Sequence, residues 1–484
     1  MLREIIKKEV LDHMMGLRFS IACVLCFIVI VCSLFVRQQD FVRTVAIYNE
    51  NSSVNRSERD QVDHPWRLVW LGIKLDQPPN PLKIFVRGIE DQNGYSVDLN
   101  CQQPIYLETA EIDNPLLPLF PSTDLMTFVG IIMSLLAVIF AYDTVSGEKE
   151  RGTLRLMLSY SVPRDIVLLG KWIGGYVTLV IPFIIAVVAA AAIVLAQSNV
   201  LFMQAQWLQF MAVCLLSLLY IAVVYSAAIW ISCLTSRSST SIMLLVTLWL
   251  VFVLAIPNLS PYLAQAWKDA GSSQEMESER SETARQAWED TVTKDMTRYD
   301  NAHGIDQAWW RNLQRGNWAS EKVVVERTVF ELDRQRSALI ARLKMYRSVE
   351  EKYTRLLDAQ ISLSQWISRL SPFSCYAMAA TELTDTGIHG KRGFMEQLEA
   401  HQIRLCEYSF SEWIPLEQYR LDHDGESPPS WTDNRAAPPP EFVYARPAGS
   451  DYLKVVAIDI GILSGMLVVF FMMSYLSFLK YDVR

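Results

Sequence analysis

Six uninterrupted apolar blocks govern what this chain can fold into: Phe19 to Val36, Leu125 to Tyr142, Ile173 to Ala196, Trp207 to Leu234, Ile242 to Pro257 and Val455 to Leu479. A bilayer core needs about 20 largely apolar residues as helix, so the blocks read as transmembrane helices of a mainly α, polytopic membrane protein. Hydrophobic residues make up 51% of the chain, and their clustering, rather than their number, is what marks a membrane protein. The first block is too long for the apolar core of a secretory signal, and no small-residue cleavage pattern follows it, so it is expected to remain a membrane helix. Ahead of it, Ile5, Ile6, Val10 and Met14 share one face of a short helix, the pattern of a segment lying in the membrane interface.

Basic residues set the orientation. Arg3, Lys7, Lys8 and Arg18 precede the first block, Lys149, Arg151, Arg155, Arg164 and Lys171 fall between the second and third, Arg237 lies between the fourth and fifth, and Lys480 and Arg484 follow the last. The connection from Gln197 to Gln206 carries no charge. The positive-inside rule therefore places both termini in the cytoplasm and leaves residues 38–123 and 258–453 outside. These outer segments hold the acidic excess behind the net charge of −8, which argues against a nucleic-acid partner. The expected organisation is an interfacial helix (1–16), the first span (17–37), a strand-rich outer segment (38–123), spans two to five with an inner loop at 143–170 (124–257), a large helical outer domain (258–453), and the last span with a short tail (454–484).

Thr44 to Tyr48, Leu82 to Val86 and Tyr95 to Leu99 are short β-prone runs separated by turn residues, and predict a small strand-rich unit. Beyond Ser320, Val325, Leu332, Leu339, Tyr346, Tyr353 and Ile367 follow a heptad, with Leu343, Leu356, Leu357, Leu363 and Leu370 widening the same face. The polar stretch from Gln274 to Asn301 is the expected antiparallel partner, making a long helical hairpin that turns at His303 to Trp318. Ser427 to Ser430 and Ala437 to Pro440 are Pro-rich and read as an extended return to the last span. Of the eight cysteines, only Cys101, Cys375 and Cys406 fall in the outer segments. An odd number leaves one free and sequence does not fix the pairing; Cys375 with Cys406 is the expectation tested below.

The inner loop reads Val145-Ser-Gly-Glu-Lys-Glu-Arg-Gly-Thr-Leu-Arg-Leu-Met-Leu-Ser-Tyr-Ser-Val-Pro-Arg164, then Val167-Leu-Leu-Gly-Lys171. Leu154, Met157 and Leu158 at i, i+3 and i+4 give a short amphipathic helix, and Pro163 suits the start of the next one. Charge alone makes this an ordinary solvated loop, but the succession of charged turn, amphipathic helix and Pro-started helix resembles the segment between the second and third helices of type-2 ATP-binding-cassette (ABC) exporter permeases. The resemblance implies a coupling helix seated in a cytoplasmic ATPase, with Glu148, Glu150, Arg151, Thr153, Leu154, Leu158 and Arg164 as the contact residues. It also implies that the N-terminal helix is the family's interfacial elbow. Leu370-Ser-Pro-Phe373 and Ala379 to Gly387 are similar to a bacterial subgroup with a large extracytoplasmic insertion before the last helix, which implies an inner-membrane protein with its large domains in the periplasm.

No Gly-x-x-x-x-Gly-Lys-Ser/Thr pattern occurs, and Gly170-Lys-Trp-Ile-Gly does not form one, so ATP and Mg are expected on a partner ATPase dimer, with no cofactor in this chain. The six histidines are scattered and no hydrolase or zinc motif is present, so neither a catalytic nor a metal site is expected. Asp459, one turn into the last span with Lys454 before it, is a candidate intramembrane polar site; the plainer reading has both side chains reaching headgroups at the outer interface. Half a transporter implies a second permease, identical or homologous, with lipid around it and a periplasmic partner for the hairpin. The expected activity is export of an amphiphilic or periplasm-destined substrate; the alternatives are a mechanotransmission device that transports nothing and a non-ABC scaffold or sensor.

Overall fold

In a computed structural model, described for residues 2–89, 95–105, 108–109, 123–159, 163–196, 202–269, 271–313, 318–424, 426, 428, 430–435, 438–446 and 449–480, the chain is a helical membrane protein with a helical distal domain. Its opening elements are α1 (Leu2–Met14), α2 (Leu17–Asp60), α3 (Pro65–Trp70), β1 (Ile73–Asp76), β2 (Tyr95–Leu99) and β3 (Glu108–Thr109). The next group is α4 (Leu125–Thr127), a π turn at Phe128–Met133, α5 (Ser134–Ala141), α6 (Ser146–Arg151), α7 (Thr153–Ser159), α8 (Arg164–Ala196), α9 (Gln204–Leu234), α10 (Ser238–Trp249), a π turn at Leu250–Ala255 and α11 (Ile256–Trp267). The distal helices are α12 (Ser273–Trp288), α13 (Lys294–His303), α14 (Gln307–Asn312), α15 (Trp318–Ser368), α16 (Pro372–Leu383), α17 (Ile388–Asp422) and α18 (Trp431–Asn434), and α19 (Gly449–Leu479) ends the fold. Among the described residues six helical stretches are long and apolar enough to cross a membrane, in agreement with the six blocks of the sequence.

The first of these corrects one expectation. Residues 44–48 are not a strand but part of α2, which runs unbroken for 44 residues. No Gly or Pro occurs between Leu17 and Asp60, so each further residue adds a hydrogen bond to an existing helix, and that outweighs the β preference of Val45, Ile47 and Tyr48. At about 1.5 Å per residue the helix is roughly twice the thickness of a bilayer core, and its far half enters the distal domain, where Asn55 donates to Asp76 of β1 at 2.9 Å.

Residues 82–86 are not a strand either. Asn80 caps a 3₁₀ turn at Pro81–Ile84 by accepting from the Leu82 amide at 3.1 Å, and Pro81 pre-sets its φ. Leu82, Ile84, Phe85 and Val86 are buried against the bundle, with the Phe85 ring 4.2 Å from that of Phe210. Only Tyr95 to Leu99 forms the expected strand. It is the centre of an antiparallel sheet ordered β1–β2–β3, registered by Ile73 opposite Leu99 and Tyr95 opposite Thr109.

The expected hairpin forms. α12 and α13 lie antiparallel to α15, whose Val325, Leu332, Leu339 and Leu343 are buried. Ion pairs lace the seam: Lys352 to Glu279 at 2.7 Å, Arg280 to Glu350 at 3.3 Å and Arg327 to Asp300 at 2.8 Å. Leu356, Leu357 and Leu370 do not extend the buried face; all three are exposed, because the seam with α12 ends before them. The other flank of α15 is covered by α17, which the heptad gave no sign of.

A further correction concerns α16. Although it lies within 258–453, it turns back into the membrane bundle between α9 and α19, where Tyr376 stacks on Tyr220 and shares a 3.0 Å hydrogen bond with Ser217. Ser371 caps it and Pro372 occupies its first turn, so Leu370 to Phe373 is a helix start built to reverse the chain. Cys375 is held in this bundle core and Cys406 in a separate distal core, so the fold does not bring together the pair expected from sequence.

Candidate functional site

The α6–α7 corner is where the sequence motif and the packing meet. α6 ends at Gly152, whose φ of +74° lies in the left-handed region that a side chain would strain, so the chain turns there into α7. Its start is fixed by Ser232 of α9, whose hydroxyl accepts from the amides of Val145 at 3.1 Å and Ser146 at 3.0 Å and donates to the Tyr142 carbonyl at 2.9 Å.

Glu148, Lys149 and Glu150 then each tie down a different helix. Glu148 accepts from Lys171 of α8 at 2.7 Å, and the same ammonium donates to Glu9 of α1 at 2.8 Å. Lys171 is 1% exposed, so this is a buried triad in which one cation answers two carboxylates. Gly170 and Gly174 make it reachable: a Cβ at either would stand within 2.7 Å of Ile5 or Glu9, so the glycines let α1 lie flush on α8. The Gly170-Lys-Trp-Ile-Gly run is thus a docking surface for α1.

Lys149 donates to the carbonyls of Cys233 and Thr235, closing the C-terminal end of α9. Glu150 accepts from the Ser238 amide at 3.0 Å, satisfying a free N–H at the start of α10. Arg164 donates to the Leu479 carbonyl at 2.8 Å, closing the end of α19. Arg18, at the start of α2, binds Asp143 at 3.1 Å and donates to the Tyr142 hydroxyl at 2.9 Å. The corner is therefore fastened directly to α8, α9 and α10, and its entry at Asp143 to α2, while α1 and α19 are tied to it through Lys171 and Arg164 of α8.

This divides the residues named from sequence. Leu154 is fully buried and Met157 packs on the bundle core, while Glu148, Glu150 and Arg164 bind within the chain. The Leu158 side chain lies outside the described residues. Arg151 and Thr153 remain on the open side, beside Arg155 and Leu156, which is 67% exposed. Leu156 was missed by the reading of the loop; the signal for it was an apolar residue two positions from Leu154, and so on the opposite face of the same helix.

The intramembrane candidate is also rearranged. Asp459 is buried, but its partner is Arg369, at 2.6 Å from the turn before α16, while Lys454 is exposed. The Arg369 guanidinium lies 4.7 Å over the Trp366 ring, and its carbonyl accepts from the Cys375 thiol at 3.5 Å. No group of three or more residues that could hold a metal occurs among the described residues.

The family model for ABC-2 family transporter proteins matches residues 3–483. The chain belongs to that family. Two relatives are similar to this ABC-2 transporter protein over a short stretch. A probable ABC transporter permease protein NosY of Pseudomonas aeruginosa is 42% identical over 74 residues, covering 15% of this chain and 26% of the relative. Its counterpart from Stutzerimonas stutzeri is 39% identical over 67 residues, covering 14% and 24%. The aligned part thus spans about a quarter of each relative. Membership identifies the ABC-2 protein as a membrane permease component, implies a partner ATPase, and sets aside the non-ABC scaffold.

Proposed function

We propose that the chain is the membrane-spanning subunit of a bacterial ABC exporter, which couples ATP hydrolysis on a separate cytoplasmic ATPase dimer, with its Mg, to outward movement of an amphiphilic or periplasm-destined substrate. The observation that carries this reading is the split of the α6–α7 corner: its inner side is bonded to α8, α9 and α10, with α1, α2 and α19 joined through Lys171, Asp143 and Arg164, and its outer side presents Arg151, Thr153, Arg155 and Leu156. A partner that pulls on the outer side moves the ends of those helices together, as a two-state machine requires. In this reading both termini are cytoplasmic and the distal domain is periplasmic. The bare apolar faces of α2, α10–α11 and α19 meet lipid and a second permease, identical or homologous.

A second reading, mechanotransmission without transport, is favoured by α2 alone, because one unbroken helix links the Arg18 end to the distal sheet. Purification in mild detergent, with identification of bound proteins and lipids, tests the shared premise: a nucleotide-binding subunit supports both readings, and a chain that purifies alone contradicts both. Reconstituted vesicles separate them, since export requires displacement of an amphiphile with ATP turnover and mechanotransmission requires turnover without it.

A further inference from the structure

The distal domain brings together two cysteines that sequence did not pair. Cys101 follows β2 and Cys406 lies midway along α17, 305 positions later; both are fully buried in one small core with Leu332, Leu339, Leu343 and Phe410. The loop around Cys101 is held rigidly. Asn100 accepts from the amides of Gln102 and Gln103, both at 2.9 Å, and the Cys101 amide donates to the Val69 carbonyl at 3.1 Å. Gln402 then clamps that loop to α17, donating to the carbonyls of Asn100 at 2.7 Å and Gln103 at 2.8 Å, on either side of Cys101. Cys406 is one helical turn beyond Gln402 and therefore on the same face, and it shares the small buried core with Cys101.

We propose that Cys101 and Cys406 form a structural disulfide that fastens the sheet-bearing segment to α17. This rests on the periplasmic placement of the distal domain, since disulfides persist in an oxidising compartment. The oxidant is a protein disulfide donor: the Cys101–Cys406 S–S bond forms as the donor's S–S bond breaks, and two electrons and two protons leave on the donor's two thiols. Because both thiols are buried, exchange occurs during folding, before α17 closes over the loop.

The test uses the full-length chain in membranes, blocked with a thiol reagent under denaturing conditions without reductant, digested, and read by mass spectrometry. A Ser281→Cys variant reports sidedness, since Ser281 is exposed on α12. The expected result is a linked Cys101–Cys406 peptide pair that persists in Cys375→Ser, with Ser281→Cys labelled from outside by a membrane-impermeant maleimide. Free Cys101 and Cys406 in protein whose Ser281→Cys is labelled from outside would overturn the disulfide and leave the topology standing. Free thiols with Ser281→Cys shielded until the membrane is opened would overturn the topology and the disulfide with it, and linkage of either residue to another cysteine would overturn the pairing.

Discussion

The α6–α7 corner and the distal hairpin both rely on ion pairs, yet they use them in opposite ways. At the corner, Lys171 is buried between Glu9 and Glu148, and removing one member leaves charge stranded in a low-dielectric setting. Along the hairpin most pairs face solvent, where water competes and salt screens them, so each contributes about 0–1 kcal/mol. The first arrangement makes a rigid joint, the place where the proposed coupling to an ATPase passes displacement into the bundle. The second makes an arm whose seam rests mainly on Leu332, Leu339 and Ala338.

Lys171→Met presses on that contrast hardest. It should destabilise the purified protein by about 3–5 kcal/mol, seen as a large fall in its unfolding temperature, and adding Glu9→Gln and Glu148→Gln should recover much of the loss. Asp459→Asn should cost about 2–4 kcal/mol by stranding the Arg369 guanidinium, read in the same assay.

His401 supplies a buried exception inside the distal domain. It is enclosed beside Phe442, with neither ring nitrogen hydrogen-bonded, and burial, with Arg404 and Arg59 adding repulsion, lowers its pKa to about 4. A group with a depressed folded pKa stays neutral in the fold while the unfolded chain takes up a proton near 6.5. Stability is therefore complete above about pH 6.5 and falls as pH drops towards 4, by up to roughly 3 kcal/mol at about 1.4 kcal/mol per unit. Hydrogen exchange of α17 across that range should show the loss, and His401→Phe should flatten it.

Smaller effects complete the series. Glu150→Ala removes the bond to the Ser238 amide and should show as increased hydrogen exchange confined to the start of α10, with little change in the unfolding temperature. Lys352→Ala should lower the unfolding temperature least of all, and its effect should vanish in high salt. A larger or salt-independent effect of Lys352→Ala would erase the distinction between joint and arm.

The membrane spans were legible because twenty-odd apolar residues have few alternatives, and the hairpin because a heptad marks its seam. The length of α2 was not, since propensity at residues 44–48 spoke against what the absence of helix breakers allowed. α16 was hidden because twelve residues are too few to register as a span, although it packs at the centre of the bundle. The triad was invisible for a different reason: Glu9 and Lys171 are 162 positions apart, and only the glycine-lined approach of α1 to α8 brings them together. In the loop itself the motif residues were found, but which of them look inward depends on partners supplied by α1, α8, α9 and α10.

The most direct measurement is co-purification of the ATPase with Leu156→Glu compared with the unaltered chain, with the unfolding temperature of each recorded. If the outer side of α6–α7 is the docking surface, Leu156→Glu should reduce the bound ATPase at least about tenfold, the scale of an interface hot spot, while the unfolding temperature stays unchanged. Undiminished ATPase on a chain carrying Leu156→Glu would contradict the assignment of that surface.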